Sequence, residues 1–338
     1  MEFELILTNK CNLHCKQCYT IHGNEFMSDE VLDKAIDYIH RQISTKPDEI
    51  HEVNLVGGEA GLVDHKKLNE IYDKITVYGN IKQLHVMCRS NLAFEMTPEF
   101  IKFAKRCEQI GTSYDYKARF GNQAQEDLWK KNIKILQSEG LDLDCIITIN
   151  KMLMTLTPTE IFDFVEGLGI NKFDLHRLFY PNQMKEEDKK VYDALIRPKN
   201  RDVDKWLFKV YQEYQKRKKI NPKLALETID VVIDSVKGNT GEYTHARCCQ
   251  KENRTILPNG MVAQCTYTVF KPYYNLMTGE LNQEVFDELV KYEETLKDEC
   301  KTCPFLKMCQ GDCCWFPHDD TGCPGLKYLY NYFTCIDS

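Results

Sequence analysis

Three cysteines near the amino terminus, Cys11, Cys15 and Cys18, constrain this chain more than any other feature. Three residues separate the first two of them, and two residues separate the last two. A [4Fe–4S] cluster normally takes four thiolates, so a tight loop that supplies three leaves one iron open to a small chelating ligand. The spacing therefore predicts a cluster with one reactive iron. The alternative is a structural zinc site, which usually has a second ligand pair nearby, whereas the next cysteine here is Cys88.

Three further features accompany this loop. The run 3–8 predicts a strand that leads into it, and Tyr19 follows the third cysteine; Gly57-Gly58-Glu59-Ala60 comes after a second predicted strand. The combination resembles the radical SAM superfamily, in which S-adenosylmethionine (AdoMet) chelates the open iron through its amino and carboxyl groups. The resemblance implies reductive cleavage of AdoMet to a 5′-deoxyadenosyl radical that abstracts hydrogen. The cofactor supplies this chemistry, and the protein supplies position and exclusion of water.

Strand-like and helix-like segments alternate through the first half of the chain. Such alternation predicts parallel strands joined by right-handed crossovers. Together with the opening strand it gives six units, which matches the α/β fold of the resembled family, a partial (β/α)6 TIM-like barrel with a small cysteine-rich auxiliary-cluster domain at its carboxyl end. Ligands of such barrels bind at the carboxyl ends of the strands. The remaining predicted strands are 52–56, 83–87, 109–113, 143–149 and 172–178, and the predicted helices include 29–42, 128–138 and 158–168.

The resemblance also assigns contacts to AdoMet. Gly57 and Gly58 let backbone approach a ligand closely, and Glu59 is implied to hold the amino group of the methionine moiety, since a carboxylate accepts hydrogen bonds from ammonium. Ala60 stands where the family usually has proline. Tyr19 is a further cofactor contact that the resemblance implies.

Weaker signals follow the third and fourth predicted strands. Ser90 and Asn91 occupy the place of a family Thr-Asn-Gly that suits ribose hydroxyls. Ser113 and Asp115 resemble a family Ser-x-Asp, with Arg119 as a carboxylate partner. Polar residues at strand ends are common in any case, so a purely structural role is the alternative.

A second set of cysteines fills the carboxyl-terminal region. Their order matches the SPASM extension of radical SAM enzymes, which binds two auxiliary [4Fe–4S] clusters and would bring the total to three. A hairpin is predicted at 257–265, with its turn at Asn259-Gly260. By resemblance, one auxiliary cluster takes Cys249, Cys265 and Cys313, and the other takes Cys300, Cys303, Cys309 and Cys323.

Three ligand questions stay open in the sequence. Cys248 is the available fourth ligand of the first auxiliary cluster, and without it that cluster has an open iron. Cys335 competes with Cys323 for the last position. A zinc ribbon is a chemically reasonable alternative for the cysteines between 300 and 313.

Composition limits the remaining possibilities. The chain has 338 residues, enough for a barrel at 1–180, a helical bridge at 181–247 and a SPASM domain at 248–338. It contains no apolar run of membrane-spanning length and no signal peptide, so a cytoplasmic location is expected. Sixteen cysteines in a reducing compartment indicate thiolate ligands rather than disulfides. A net charge of −7 argues against broad nucleic-acid binding.

The auxiliary clusters narrow the expected function. Radical SAM enzymes with this extension mostly oxidise peptides and proteins, so the resemblance implies an oxidoreductase that modifies a peptide side chain, with crosslinking of a ribosomal peptide as the leading reaction. Formylglycine formation in a sulfatase is less favoured, because Thr266 stands where such maturases tend to have an aspartate that can serve as a base. Oxidation or rearrangement of a small molecule or nucleoside is the other alternative. A catalytically inactive binding module would require loss of a cluster ligand, and all three are present.

Three partners follow from this expectation. They are a peptide or protein substrate, an external electron donor such as flavodoxin or ferredoxin, and a separate leader-peptide-binding protein. The last is expected because the cysteine loop begins at residue 11 and leaves no amino-terminal leader-recognition domain.

Overall fold

The protein is described here from a computed structural model, which covers residues 1–77, 84–181, 184–238 and 252–336. The chain divides into two compact units. The first comprises Met1–Thr112, Phe120–Leu143 and Cys249–Leu289, and the second comprises Ser113–Arg119, Asp144–Cys248 and Val290–Ser338.

Strands and helices alternate as the sequence predicts. The strands of the described residues are β1 (Glu2–Ile6), β2 (His51–Val56), β3 (Leu84–Arg89), β4 (Gln109–Tyr114), β5 (Leu143–Thr148), β6 (Lys172–His176), β7 (Ala225–Leu226), β8 (Asn253–Ile256), β9 (Met261–Ala263) and β10 (Tyr274–Asn275). The helices are α1 (Asp29–Ile43), α2 (His65–Thr76), α3 (Pro98–Ala104), α4 (Gln123–Ser138), α5 (Pro158–Gly167), α6 (Glu186–Leu195), α7 (Asn200–Ile220), α8 (Glu227–Val236), α9 (Gln283–Glu294), α10 (Asp298–Lys301), α11 (Leu306–Cys309) and α12 (Lys327–Ile336).

The strands of the first unit lie side by side in the order β10-β9-β8-β1-β2-β3-β4. The pairs β1–β2, β2–β3 and β3–β4 are parallel, as predicted, so their carboxyl ends and the loops that follow them share one edge. The predicted hairpin is also present: β8 and β9 are antiparallel, and Gly260 between them has a φ of +79°, which glycine adopts without strain.

One pairing in the first unit was not predicted from the sequence. β8 joins β1 in parallel, with Leu5 opposite Ile256. The hairpin thus extends the parallel sheet, and Ile256 of β8 is fully buried. Ile6, Leu257 and Ala263 are all buried in one cluster.

Local sequence explains where α1 begins and which of its faces is buried. Ser28 caps α1 by accepting a hydrogen bond from the Val31 amide, which satisfies one of the free N–H groups of the first turn. Val31, Ala35 and Ile39 are buried along this helix, at the spacing that places them on one face.

The second unit contains the parallel strands β5, β6 and β7 in that order. Thr157 and Glu160 form a capping box at the start of α5. Helix α7 packs against α12, where the rings of Tyr211 and Phe333 lie 4.9 Å apart in an edge-to-face arrangement. Asp204 of α7 accepts a hydrogen bond of 3.0 Å from the Tyr328 amide, so it caps the first turn of α12.

Within the described residues, every helix is too short or too polar to cross a lipid bilayer.

Candidate functional site

The cysteine loop follows β1 and is half-buried. Cys11, Cys15 and Cys18 are of intermediate exposure and form no disulfide among the described residues, and the Cys18 amide donates to the Cys15 carbonyl at 3.1 Å. The loop therefore turns back on itself within a few residues and presents three sulfur atoms from one short segment. Such a donor set suits an iron–sulfur cluster with one protein-free position.

Several polar groups lie beside these sulfur atoms. The Leu13 amide lies 3.4 Å from the sulfur of Cys11. The hydroxyl of Thr20 and the imidazole of His22 lie 3.1 and 3.2 Å from the sulfur of Cys18. Hydrogen bonds to cluster sulfurs stabilise the negative charge of the thiolates and tune the reduction potential, so the loop is equipped to hold a charged cluster.

The glycine pair after β2 packs directly against the chain that leads into this loop. The Gly58 amide donates to the Thr8 carbonyl at 2.7 Å, and the Glu59 amide donates to the Lys10 carbonyl at 2.9 Å. A Cβ atom built on Gly57 would lie 2.6 Å from the Thr8 carbonyl oxygen, and one on Gly58 would collide with the Lys10 carbonyl. Only glycine permits this approach of two backbones.

Glu59 fastens the loop after β2 to the loop after β3. Its side chain is buried, with 2% exposure, and one carboxylate oxygen accepts hydrogen bonds from the Gly61 amide at 2.7 Å and the Ser90 hydroxyl at 2.6 Å. The other oxygen accepts from the Asn91 amide at 2.5 Å. A buried carboxylate that accepts several hydrogen bonds is stabilised in its charged form, so Glu59 holds both loops at the carboxyl ends of their strands.

Asn91 continues this chain of contacts to the cysteine loop. The side-chain nitrogen of Asn91, Nδ2, donates to the side-chain oxygen of Asn12 at 2.7 Å and lies 3.7 Å from the sulfur of Cys11. Asn12 in turn donates to the Ala93 carbonyl at 2.6 Å. The structure thus brings together the first-cluster cysteines, the glycine pair, Glu59, Ser90 and Asn91.

Tyr19 lies between the cysteine loop and the turn that contains Cys265. Its ring centroid is 4.7 Å from that of Tyr267, and burial raises the pKa of its hydroxyl, as does the nearby carboxyl of Glu4. Cys265 is half-buried at the start of this turn, where its amide donates a hydrogen bond to the Thr268 hydroxyl oxygen at 3.0 Å. Aromatic packing therefore links one predicted auxiliary ligand to the first loop.

A pair of carboxyl groups on β1 was missed at the sequence level. Phe3 and Leu5 are fully buried, so Glu2 and Glu4 alternate with them on the opposite face of the strand. Burial raises the pKa of Glu2 to about 7, and the neighbouring carboxyls of Glu4 and Glu52 add to that effect. Burial likewise raises the pKa of Glu4.

Glu4 lies close to the cysteine loop and to the Cys265 turn. Its carboxylate accepts a hydrogen bond from the Thr255 hydroxyl at 3.0 Å. This bond and another with Thr266 partly offset the rise in the pKa of Glu4 that burial causes. The signal that could have identified both carboxyls is the alternation Glu-Phe-Glu-Leu in the first predicted strand.

In the second unit, Ser113, Asp115 and Arg119 lie together around the end of β4. Asp115 is buried, with 2% exposure, and one of its carboxylate oxygens pairs with Arg119 at 3.0 Å. The other oxygen is buried and has no hydrogen-bond partner among the residues that the structure describes. A buried acceptor of this kind is costly unless a ligand or water satisfies it, so Asp115 fits the role of a ligand contact.

Four predicted auxiliary ligands of the second unit surround a single cavity. It is lined by Cys300, Cys303, Cys309 and Cys323, together with Gly325 and Lys327. A Cβ atom built on Gly325 would lie 3.5 Å from the sulfur atoms of both Cys309 and Cys323, which shows that these two sulfurs converge. Cys335 is exposed and is not among the cavity residues.

Backbone geometry explains part of this convergence. Gln310, Gly311 and Asp312 all have positive φ angles, of 51°, 89° and 54°, so the chain reverses sharply between Cys309 and Cys313.

Cys248 and Cys249 lie outside the described residues. Among the described residues, no three His, Cys, Asp or Glu side chains are placed to hold a single metal ion.

Comparison with known proteins agrees with this arrangement. A family described as a 4Fe-4S single cluster domain matches residues 4–137. The serine-type anaerobic sulfatase-maturating enzyme of Bacteroides thetaiotaomicron is 25% identical over 380 residues, which cover 96% of this chain and 86% of that protein.

Solved structures give the same result for the fold. Native anSMEcpe with bound AdoMet matches with a TM-score of 0.77 at 15% identity, over 98% of this chain and 95% of that one. Streptococcus suis SuiB bound to its precursor peptide SuiA matches with a TM-score of 0.61 at 14% identity, over 95% of this chain and 75% of that one. These matches confirm the predicted α/β fold class with its cysteine-rich carboxyl-terminal region.

The family match and these relatives support a [4Fe–4S] cluster and AdoMet as cofactors. Three observations point to the same cofactors. They are the loop that carries three thiols, the glycine pair packed against it, and the relatives that match nearly the whole chain. The chain therefore resembles the radical SAM enzymes that carry a SPASM extension.

Proposed function

We propose that this enzyme cleaves AdoMet reductively and uses the resulting radical to oxidise a side chain of a peptide or protein. The observation that supports this most strongly is the likeness over nearly the whole chain to sulfatase-maturating enzymes. Structures of similar fold also include a complex with a precursor peptide.

Each part of the site has a role in this proposal. Cys11, Cys15 and Cys18 hold the cluster that supplies the electron for AdoMet cleavage. Glu59 fixes the loop that receives the methionine end, since its carboxylate joins the segments after β2 and β3. Asp115 offers its unpaired carboxylate oxygen to AdoMet or to the substrate.

We further propose three [4Fe–4S] clusters in total. The cavity lined by Cys300, Cys303, Cys309 and Cys323 supports their assignment to one auxiliary cluster, and the exposure of Cys335 disfavours it as the last ligand. Cys249, Cys265 and Cys313 remain the proposed ligands of the other cluster, with Cys248 as the candidate for its fourth position. The proposed SPASM domain runs from residue 248 to 338, after a barrel at 1–180 and a bridge at 181–247.

Crosslinking of a ribosomal peptide and formylglycine formation are the two reactions to compare. Formylglycine formation removes two hydrogen atoms from one serine side chain, whereas a crosslink removes one hydrogen from each of the two groups that it joins. In both, the radical takes one hydrogen atom, so a proton acceptor and an acceptor for one electron, here the proposed auxiliary clusters, are also required. Likeness to the sulfatase-maturating enzymes favours the second reaction. Against it, Thr266 stands where the aspartate is expected after Cys265. The Glu4 carboxyl forms a hydrogen bond with Thr266 and is the candidate proton acceptor in this chain.

The first test concerns cofactor content. We expect anaerobically reconstituted enzyme to bind about twelve irons and to release 5′-deoxyadenosine on reduction. Replacement of Cys11, Cys15 and Cys18 by alanine should lower the iron content to about eight and abolish AdoMet cleavage. Cys323→Ala should lose iron, whereas the matched variant Cys335→Ala should retain it. Continued AdoMet cleavage by the triple variant would refute the proposal.

The second test separates the two reactions. The enzyme is incubated with AdoMet and either a serine- or cysteine-containing sulfatase peptide or a candidate precursor peptide. Formylglycine is an aldehyde that reacts with a hydrazide probe, whereas a crosslink removes two hydrogen atoms without creating an aldehyde. Modification of neither peptide, with rapid AdoMet cleavage in the presence of a small alcohol or nucleoside, would favour a small-molecule substrate instead.

The proposal includes an external electron donor such as flavodoxin or ferredoxin, and a separate leader-binding protein if the substrate is a precursor peptide. It also includes a cytoplasmic location, because the clusters need a reducing compartment.

A further inference from the structure

Two cations flank the cavity lined by Cys300, Cys303, Cys309 and Cys323. Lys327 belongs to the cavity wall, where its ammonium group forms a hydrogen bond with the thiol of Cys323. The ammonium group also lies 4.0 Å from a carboxylate oxygen of Glu299. Lys327 therefore brings a positive charge directly to one of the four sulfur atoms.

Arg177 follows β6 and reaches the same cavity from another direction. Its guanidinium donates to the Pro324 carbonyl at 2.5 Å and pairs with Asp312 at 2.7 Å. It also lies over the ring of Phe316, 4.1 Å from the centroid. Pro324 is the residue after Cys323, and Asp312 lies on the sharp turn after Cys309, so Arg177 joins the segments that carry two of the four thiols.

Burial makes this arrangement electrostatically effective. The side chains of Arg177 and Asp312 are only 16% and 14% exposed, so water screens their charges weakly. Asp312 lines the cavity together with Cys309, and its amide donates to the Cys309 carbonyl at 3.0 Å, so its carboxylate brings a negative charge close to that cysteine. Arg177 offsets that charge. Without Arg177, this carboxylate would lose its guanidinium partner.

We propose that Arg177 and Lys327 are positioning residues that raise the reduction potential of the auxiliary cluster bound by these four cysteines. The inference rests on the ligand assignment in the proposed function. Its physical reason is that net charge, hydrogen bonds to sulfur and solvent exposure set the potential of an iron–sulfur cluster. A positive charge close to the sulfurs favours the reduced, more negative state, whereas the negative charge of Asp312 opposes it.

The test measures midpoint potentials, not turnover. Variants are made in the Cys11/Cys15/Cys18 triple-alanine background, so that only auxiliary clusters remain, and each protein is titrated potentiometrically with detection by electron paramagnetic resonance. Arg177→Gln and Lys327→Gln should each shift one midpoint to a more negative value, with a smaller shift for Lys327 because it is 43% exposed. Asp312→Asn should shift the same midpoint to a more positive value.

Two matched variants serve as controls. Arg177→Lys keeps the charge and should restore most of the wild-type midpoint. Lys199→Gln removes a cation that pairs with Asp320 at 2.5 Å on the surface of the same unit, and it should leave both midpoints unchanged.

Wild-type midpoints in fully iron-loaded Arg177→Gln and Lys327→Gln proteins would overturn the inference. If Arg177→Gln loses iron because the segments around Asp312 and Pro324 separate, Lys327→Gln decides the question, since Lys327 is half-exposed and makes no such bridge. Unchanged iron content in a Cys300→Ala/Cys303→Ala variant would instead refute the ligand assignment, and with it both proposals.

Discussion

Replacement of Glu59 by glutamine tests the central contact of the proposed AdoMet site. The carboxylate accepts from two donors at one oxygen, the Gly61 amide and the Ser90 hydroxyl, and from the Asn91 amide at the other. Glutamine has the same shape but only one acceptor oxygen. In either orientation of the amide, its NH2 group faces a backbone N–H that must then remain without an acceptor.

The magnitude follows from the burial of the site. A hydrogen bond to a charged group contributes about 1.5–3 kcal/mol, and a buried donor left unsatisfied costs about 1–3 kcal/mol. Glu59 is only 2% exposed, so water cannot replace the lost acceptor. One such loss, together with weaker bonds at the remaining oxygen, should lower the free energy of unfolding by about 3 kcal/mol. A loop displacement costing half of that would weaken AdoMet binding by about tenfold.

The assay is anaerobic urea denaturation, combined with calorimetric titration of AdoMet into reconstituted enzyme. Glu25→Gln is the matched control, because Glu25 is an exposed residue of the same unit that accepts from Asn9 at 3.3 Å; it should change stability by less than about 0.5 kcal/mol. If Glu59→Gln unfolds at the wild-type urea concentration and binds AdoMet normally, the reasoning that Glu59 fastens these loops is wrong.

Three other substitutions test separate features. Gly58→Ala should drive its Cβ into the Lys10 carbonyl and reduce the iron bound by about four atoms, measured by iron analysis, whereas Gly167→Ala, which meets nothing within 4 Å, should bind iron normally. Glu2 has a pKa raised from 4.5 to about 7, so its native state binds more protons and stability should fall by up to about 3 kcal/mol as pH rises from 4.5 to 7. Glu2→Gln should remove that fall in denaturation experiments at pH 5 and pH 8; an unchanged pH dependence would contradict the assignment. Glu4→Gln should retain AdoMet cleavage but slow peptide modification, as measured by mass spectrometry, and equal modification rates would exclude Glu4 as proton acceptor.

The fold could be predicted largely from patterns that are local in the chain. The alternation of strand and helix follows from hydrophobic periodicity, and all six predicted strands are present with only small differences at their ends. The parallel pairing of β8 with β1 was not predicted, since it joins residues about 250 positions apart and leaves no local signal in either segment.

The sequence by itself determined the cofactor chemistry, because the thiol types and their spacing within one loop are properties of a few consecutive residues. Only the tertiary structure decided how that loop is held. The collision that makes Gly58 necessary, the three donors around Glu59 and the carboxyl of Glu4 beside Thr255 all depend on contacts between distant segments. The convergence of Cys309 and Cys323, with Arg177 and Lys327 beside them, is decided in the same way. Long-range packing sets the distances between such groups, and those distances fix their charges and hydrogen bonds.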